Sequence, residues 1–355
     1  MKKILLFRIP MSICDFRCHY CYIAQRPVHF QGIQPEFKYT PAEVANALSM
    51  KRLGGPCFMN FCADGETLLT KNLDQYVKAL VEEGHYAEVV TNLTVSNVLD
   101  KFLSWDKELL KRLEFKCSFH YLELKRKGWL DRFADNVRKI WEAGASANIE
   151  LAPSDELIPY LDEVKEFSMK NFGALPQLTI LRDDRTSNIE YLTKLNEEEY
   201  NKTWEPFGST FWKFKKTIFG KKQMGYCYAG AWSAYIDLTT GDATGCYGYV
   251  NLGNVFEHPE KPFPHKAVGK CPLPHCYNGH AMLSMGLIPQ LNDVHYGYLR
   301  DRKKCDGSTW LQPELRNFFD EKLEDSNELD SRFTQLLNPI CRFEERVVNK
   351  LKRIF

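Results

Sequence analysis

The sequence predicts an α/β protein, a parallel sheet of six strand–helix units followed by a smaller cysteine-bearing domain. Three observations carry the prediction. Strand-like runs and amphipathic helical stretches alternate six times across residues 1–182. The alternation stops there, and a strand–turn–strand run appears at 235–250. With 355 residues and 44% hydrophobic content, the chain can fill one large core or two modest ones.

The strand-like runs are KILLFRI (3–9), CFMNFCA (57–63), AEVVTNL (87–93), FKCSFHY (115–121), ANIEL (147–151) and QLTIL (177–181). Between them, 73–84 spaces Leu73, Val77, Leu80 and Val81 at helical period and closes on Gly84. Residues 129–144 repeat the pattern with Leu130, Phe133, Val137, Ile140 and Trp141 before Gly144. Residues 154–167 open on Ser154, a candidate N-cap. Serial β-then-α units imply a parallel sheet with right-handed crossovers, in which function collects at the C-terminal ends of the strands. Residues 183–222 form an aromatic and basic connection, with FGSTFWKFKKTIFGKK at 207–222. Residues 223–305 are the smaller domain, built on the 235–250 hairpin and its Gly-Asp turn. Residues 306–355 read as a charged helical tail.

Net charge is +1, far from the basic field that nucleic-acid binding requires. The N-terminal apolar run, Ile4 to Phe7, is shorter than the roughly 7–15 residues of a signal-peptide core, and no run approaches the roughly 18 of a membrane span. The expectation is a cytoplasmic protein without nucleic-acid or membrane partners. In a reducing compartment the 12 cysteines do not read as disulfides. They cluster instead, as Cys14, Cys18 and Cys21 and then as Cys227, Cys246, Cys271 and Cys276, which points to metal or iron–sulfur binding.

The first cluster, CDFRCHYC at 14–21, has the spacing C-x3-C-x2-C directly after the first strand. Three thiolates hold three irons of a [4Fe–4S] cube and leave the fourth iron open. Open coordination positions are where substrates bind. The alternative is structural zinc with a distant fourth ligand.

This triad, on a loop after the first of six β/α units, resembles the radical S-adenosylmethionine (SAM) superfamily. The resemblance covers residues 1–182, and it implies a partial (β/α)6 TIM-like barrel. It implies that Cys14, Cys18 and Cys21 ligate a cluster whose open iron is chelated by SAM. One-electron reduction of SAM then yields a 5′-deoxyadenosyl radical that abstracts hydrogen from substrate. Tyr20 is expected near the adenine. The family's Gly-Gly-Glu-Pro loop, which holds the SAM amino group, is matched by Asp64, Gly65, Glu66 and Thr67; Gly65 and Glu66 agree with the pattern, Asp64 and Thr67 depart from it. Asn92 and Ser118 lie where family members contact SAM. A flavodoxin or ferredoxin is the implied electron donor.

Side chains alternate along strands. On the fourth, Phe115, Cys117 and Phe119 suit the helix-covered outer face, so Lys116, Ser118 and His120 point inward and Cys117 is a core thiol. On the second, Asn60, Cys62 and Asp64 point inward; on the fifth, Asn148 and Glu150 do. Inward polar groups are costly unless satisfied. Cys62, His120 and Glu150, with Arg182 past the sixth strand, are candidate catalytic and substrate-contacting residues. The alternative is an internal hydrogen-bond network.

The second cysteine group resembles the short ("twitch") form of the auxiliary-cluster domain found in radical SAM enzymes. It implies a second [4Fe–4S] cluster on Cys227, Cys246, Cys271 and Cys276. Zinc on Cys271, Cys276 and His275 or His280 remains the alternative, and Cys305 is a further candidate ligand. Cys57 and Cys341 read as ordinary thiols.

A fully ligated second cluster can accept an electron, so the leading expectation is two-electron oxidation of a small polar substrate such as a sugar, cyclitol or nucleotide-sugar. Epimerisation with Cys62 returning a hydrogen atom, and peptide modification, are the other readings. In 207–219, aromatic residues alternate with Lys213, Lys215 and Lys216. This reads as an amphipathic helix between domains or as a lid whose lysines grip phosphate.

Overall fold

The protein is described by a computed structural model covering residues 2–26, 31–186, 189–247, 249–276, 280–289, 291 and 294–339. Cys341 and the last part of the expected helical tail lie outside these residues, as does the side chain of His280.

The six expected strands form in order: β1 (Ile4–Ile9), β2 (Phe58–Ala63), β3 (Tyr86–Thr91), β4 (Leu113–Phe119), β5 (Ser146–Leu151) and β6 (Gln177–Leu178). Each pairs in parallel with the next. Helices Leu73–Glu82 and Leu130–Ala143 occupy the predicted stretches, and Gly144 ends the second in the left-handed conformation that favours glycine.

Two elements depart from expectation. β6 ends at Leu178 rather than 181 because it lies at the sheet edge, where the Leu178 N–H donates to the Ser209 side chain instead of a further strand. The stretch from 154 begins as a 3-10 turn (Asp155–Tyr160), and the α-helix starts at Leu161. Pro159 has no N–H to continue an α-helical ladder, and Ser154 makes no capping bond.

After two short pairs, β7 (Arg182–Asp183) with β8 (Glu190–Tyr191) and β9 (Tyr226–Cys227) with β13 (Gly269–Lys270), the hairpin region contributes β10 (Ser233–Asp237), β11 (Asp242–Cys246) and β12 (Tyr249–Asn254). These three are antiparallel to one another. The hairpin extends the barrel's own sheet: β10 lies parallel to β1, with Leu6 opposite Tyr235 and Arg8 opposite Asp237. The sheet order is β12-β11-β10-β1-β2-β3-β4-β5-β6, so β12 and β6 are its open edges and the barrel is partial.

The outer face carries the main core, including Phe7, Phe61, Val89, Phe115, Cys117, Phe119 and Ile149, under the helices. The inner face divides by height. At the N-terminal end, Ile4, Leu6 and Phe58 pack against Tyr296, Phe318 and Phe319 from the C-terminal region. Phe318 stacks on Tyr86 with centroids 3.8 Å apart. The C-terminal segment therefore plugs the floor of the barrel. No helix of the described residues is long and apolar enough to cross a membrane.

His85 enters this core fully buried. Its Nδ1 accepts the Cys57 N–H at 3.1 Å, and its Nε2 meets the Leu48 carbonyl at 2.8 Å. That arrangement requires a neutral ring with the proton on Nε2, and burial lowers its pKa to about 4. The neutral ring is stable above its unfolded value near 6.5, and stability is lost as pH falls from there toward 4. The expected loss is about 3 kcal/mol across that window. Urea unfolding at a series of pH values checks this: His85→Gln should flatten the slope between pH 6.5 and 4 relative to wild type.

Candidate active site

The loop after β1 carries Cys14, Cys18 and Cys21, all half-buried and free. It is fixed at three points. At its base the Ser12 N–H donates to the Gly32 carbonyl, and the Gly32 N–H returns to the Ser12 hydroxyl. At its side the Arg17 N–H donates to Glu123, on the helix after β4. Beneath it lies the loop after β2. The Glu66 N–H donates to the Ile13 carbonyl at 2.9 Å, and Gly65 sits so close that any Cβ would be driven into that carbonyl. The two motif loops are thus a packed pair, and glycine at 65 is a steric requirement.

The Glu66 side chain turns away from the open end. It is 2% exposed and accepts from the Leu68 N–H, the Thr91 hydroxyl and the Asn92 N–H. Burial raises its pKa to about 7 against the pull of those donors. Its carboxylate ties the β2 loop to the end of β3, so ligand contact from this loop falls to its backbone. Asp64 is held by Arg8, with the guanidinium 3.0 and 2.6 Å from one carboxylate oxygen.

Asn92 follows β3 and donates to Asp15 at 2.7 Å, and its amide nitrogen stands 3.9 Å from the Cys14 sulfur. The Thr94 hydroxyl donates to the other Asp15 oxygen. Asp15, inside the cysteine motif, thereby bridges the cysteine loop to β3. On β4, Ser118 is half-buried, and its backbone carbonyl accepts the His120 N–H at 3.0 Å. Tyr20 and His120 meet, the Tyr20 hydroxyl 2.8 Å from His120 Nδ1, and burial lowers His120 to about 4 so the ring is neutral.

The inner face below is polar, as the alternation requires. Asn60 donates to Glu88, and Tyr296 reaches the other Glu88 oxygen at 3.1 Å. Glu150 is clamped between Lys116 at 3.2 Å and Arg300 at 2.8 Å, both on one oxygen. Arg182 pairs with Asp184 at 2.8 Å and lies 4.1 Å from the Tyr22 ring centroid. Cys62 lines this space, and burial pushes its thiol up to about 12, so it is neutral. Tyr235 stands beside it, its ring centroid 5.2 Å from that of Tyr247. Sequence reasoning missed Arg8, Asp15, Thr94 and Arg300. The inward parity of Arg8 on β1 was a usable signal, as was a carboxylate within the triad; nothing local marked Arg300.

Cys227, Cys246, Cys271 and Cys276 come together from β9, the end of β11 and the 271–276 segment. Burial raises the Cys246 thiol well above its usual value, and Cys276, Cys227 and Cys271 add to that in turn. Burial likewise pushes Cys227 and Cys276 up to about 12. Each thiolate here would repel the others without a cation among them, which is the donor chemistry an iron–sulfur cluster satisfies. Among the described residues no three His, Cys, Asp or Glu converge tightly enough to hold a single metal ion. A cube spreads its ligands over four corners. His275 Nδ1 accepts the Gly220 N–H at 2.6 Å, and its ring packs on Phe219. Cys305 is exposed and takes no part in this group.

No protein-family model matches the chain, and no curated protein matches it. Among solved structures, anSMEcpe with bound AdoMet (SAM) is similar at 15% identity and TM-score 0.52, over 72% of this chain and 78% of that one. SuiB of Streptococcus suis aligns at 13% identity and TM-score 0.47, over 72% and 64%. BtrN in complex with AdoMet and 2-DOIA aligns at 15% and 0.41, over 73% and 80%. The match thus spans just under two thirds of SuiB. At such identities the likeness is one of fold, and the anSMEcpe superposition carries it. The chain shares its fold with anSMEcpe: a partial barrel of six parallel strands, with antiparallel strands added from its C-terminal half.

The seat between the two motif loops is directly testable. Gly65→Ala should cost about 1–3 kcal/mol by overpacking, read by urea unfolding. It should also speed the reaction of Cys14, Cys18 and Cys21 with a thiol reagent, because the loop is lifted from its support.

Proposed function

We propose that the chain is a radical SAM enzyme that carries out a two-electron oxidation of a small polar substrate, in the class of sugars, cyclitols and nucleotide-sugars. The observation that supports it is the convergence of two packed motif loops, Asn92 and Ser118 at one end of the sheet, above a polar lumen with a closed floor.

The residues fit the groups the reading needs. Cys14, Cys18 and Cys21 would hold one [4Fe–4S] cluster and leave an iron for SAM; Cys227, Cys246, Cys271 and Cys276 would hold a second with no open iron. Bound together, the first cluster and SAM supply one-electron cleavage of the sulfonium and hydrogen-atom abstraction from carbon. Asn92, Ser118 and the backbone at Asp64–Gly65 bind and orient SAM, and Tyr20, fixed by His120, flanks its adenine. The C-terminal plug excludes water from below. Glu150 and Arg182 serve as positioning residues, since each is held in an ion pair. An oxidation needs an electron acceptor beside the lumen, and Cys246 is the neighbour of Tyr247, whose ring lies tilted 5.2 Å from that of the lumen-facing Tyr235.

A second reading, epimerisation, is favoured by Cys62 alone. A neutral thiol in the lumen is the form that returns a hydrogen atom to carbon. Cys62→Ala separates the two: an oxidase keeps its product, whereas an epimerase cleaves SAM without forming one.

The primary test is iron and sulfide content after anaerobic reconstitution, with SAM cleavage assayed alongside. About eight irons should fall to about four in a Cys14/Cys18/Cys21→Ala variant, with 5′-deoxyadenosine made by wild type alone. About four irons in wild type, none in the variant and one retained zinc would remove the second cluster and move the reaction to epimerisation. Absence of iron from both would remove the radical reading.

A further inference from the structure

The helix Thr210–Ile218 sends its three lysines in different directions. Lys213 lies along an outer groove with Thr210, Tyr298 and Leu299. Lys216 stands 3.7 Å over the Trp212 ring and donates to Asn201 at 2.7 Å. Lys215 turns into the barrel. It is 4% exposed, and its ammonium donates to the Thr179 hydroxyl at 2.7 Å, just past β6. It makes no ion pair among the described residues.

The groups facing it are Glu150 from β5, Lys116 from β4, Arg182 from β7 and Arg300 from the helix Tyr296–Arg300. Both nearby carboxylates are already shared. Glu150 lies between Lys116 and Arg300, and Asp184 between Arg182 and Arg26. Five cationic side chains thus meet two carboxylates, with Glu88 and Glu114 a layer deeper. Burial lowers Lys215 to about 7 and raises Glu114 to about 8, the responses of groups short of partners. Arg300 is fully buried, yet among the described residues its Nε and one Nη find no acceptor, and the Asn148 carbonyl oxygen finds no donor. Buried donors without acceptors cost free energy. The space remains reachable, since the Lys116, Glu150 and Arg182 side chains keep 13, 11 and 10% exposure.

We propose that Lys215, with Lys116 and Arg182, forms an oxyanion subsite in the lumen that takes a carboxylate or phosphate group of the substrate. The inference rests on the radical SAM reading for what the lumen does, though not for the existence of the subsite. It narrows the small polar substrate to one bearing an anionic group, held by a residue of the connecting segment together with Lys116 of the barrel strand β4.

The test uses the full chain, reconstituted, with inorganic phosphate and malonate as probes at matched ionic strength. Binding is followed by calorimetry and by thermal shift. Wild type should bind at least one probe; phosphate alone identifies a phosphate subsite and malonate alone a carboxylate one. Lys215→Met should weaken that binding at least tenfold, Lys215→Arg should largely retain it, and Lys213→Met should leave it unchanged. Without probe, Lys215→Met should melt no lower than wild type, because it removes an amine buried without a counter-ion. A lysine kept only for its bond to Thr179 would give the opposite result: a lower melting temperature and unaltered probe binding, which overturns the proposal. Failure of wild type to bind either probe overturns it as well, as does SAM affinity falling in parallel with probe binding, which would assign the subsite to SAM. Iron content and SAM cleavage on the same preparations report separately on the parent reading.

Discussion

Glu66 is a carboxylate shut away from water, and the open end of the barrel is arranged around it. Its backbone N–H supports the cysteine loop at Ile13, while its side chain gathers donors from its own loop and from the end of β3. A buried carboxyl is tolerable only when such donors are complete. The requirement therefore runs both ways. The loops hold Glu66 in place, and Glu66 obliges β2, β3 and the cysteine loop to meet in one register. Gly65 completes the arrangement by letting two backbones approach to a distance no side chain permits. Asp15, clasped by Asn92 and Thr94, repeats the design on the upper side of the same loop.

Below that level the protein fills its lumen with charge. Register places Asn60, Glu88 and Glu114 side by side on β2, β3 and β4, with Lys116 and Asn148 adjacent one step higher. Polar layers inside a sheet are expensive, and the structure offsets the cost by importing partners from far along the chain. Tyr296 and Arg300 reach Glu88 and Glu150 from a single short helix, and the Asn148 amide donates to the Arg300 carbonyl. Apolar side chains from the same region close the floor. One segment thus supplies both the seal and the countercharge.

The barrel was legible in the sequence because local periodicity and strand parity determine it. Phe115, Cys117 and Phe119 on one face, and Lys116, Ser118 and His120 on the other, sort by alternation alone, and the structure keeps that sorting. The motif loops were legible because their residues are contiguous. What stayed hidden was pairwise and distant. Nothing in SAYID at 233–237 announces a parallel partner more than two hundred residues upstream, and nothing in YGYLR at 296–300 announces a buried arginine. The lysines of 210–218 read as one surface, yet the helical turn of 100° per residue sends Lys215 inward and its neighbours out. Pro159 displaced a helix start that Ser154 had suggested, since a missing N–H outranks a capping preference.

The parallel pairing of β1 with β10 has a consequence in time. β1 lies in the middle of the sheet, between one neighbour that follows within fifty residues and another that begins at Ser233. Its first residues are pinned still later: Lys3 donates to the Ala231 carbonyl, and Lys2 to the carbonyls of Phe318 and Glu321 and, through its backbone, to Asn327. A chain emerging from the ribosome at about 5–20 residues per second leaves the strand beneath the cysteine loop half-flanked for roughly ten seconds or more. A strand made early is locked late. Its three thiols stand on an unfinished support until the chain has been made as far as Asn327.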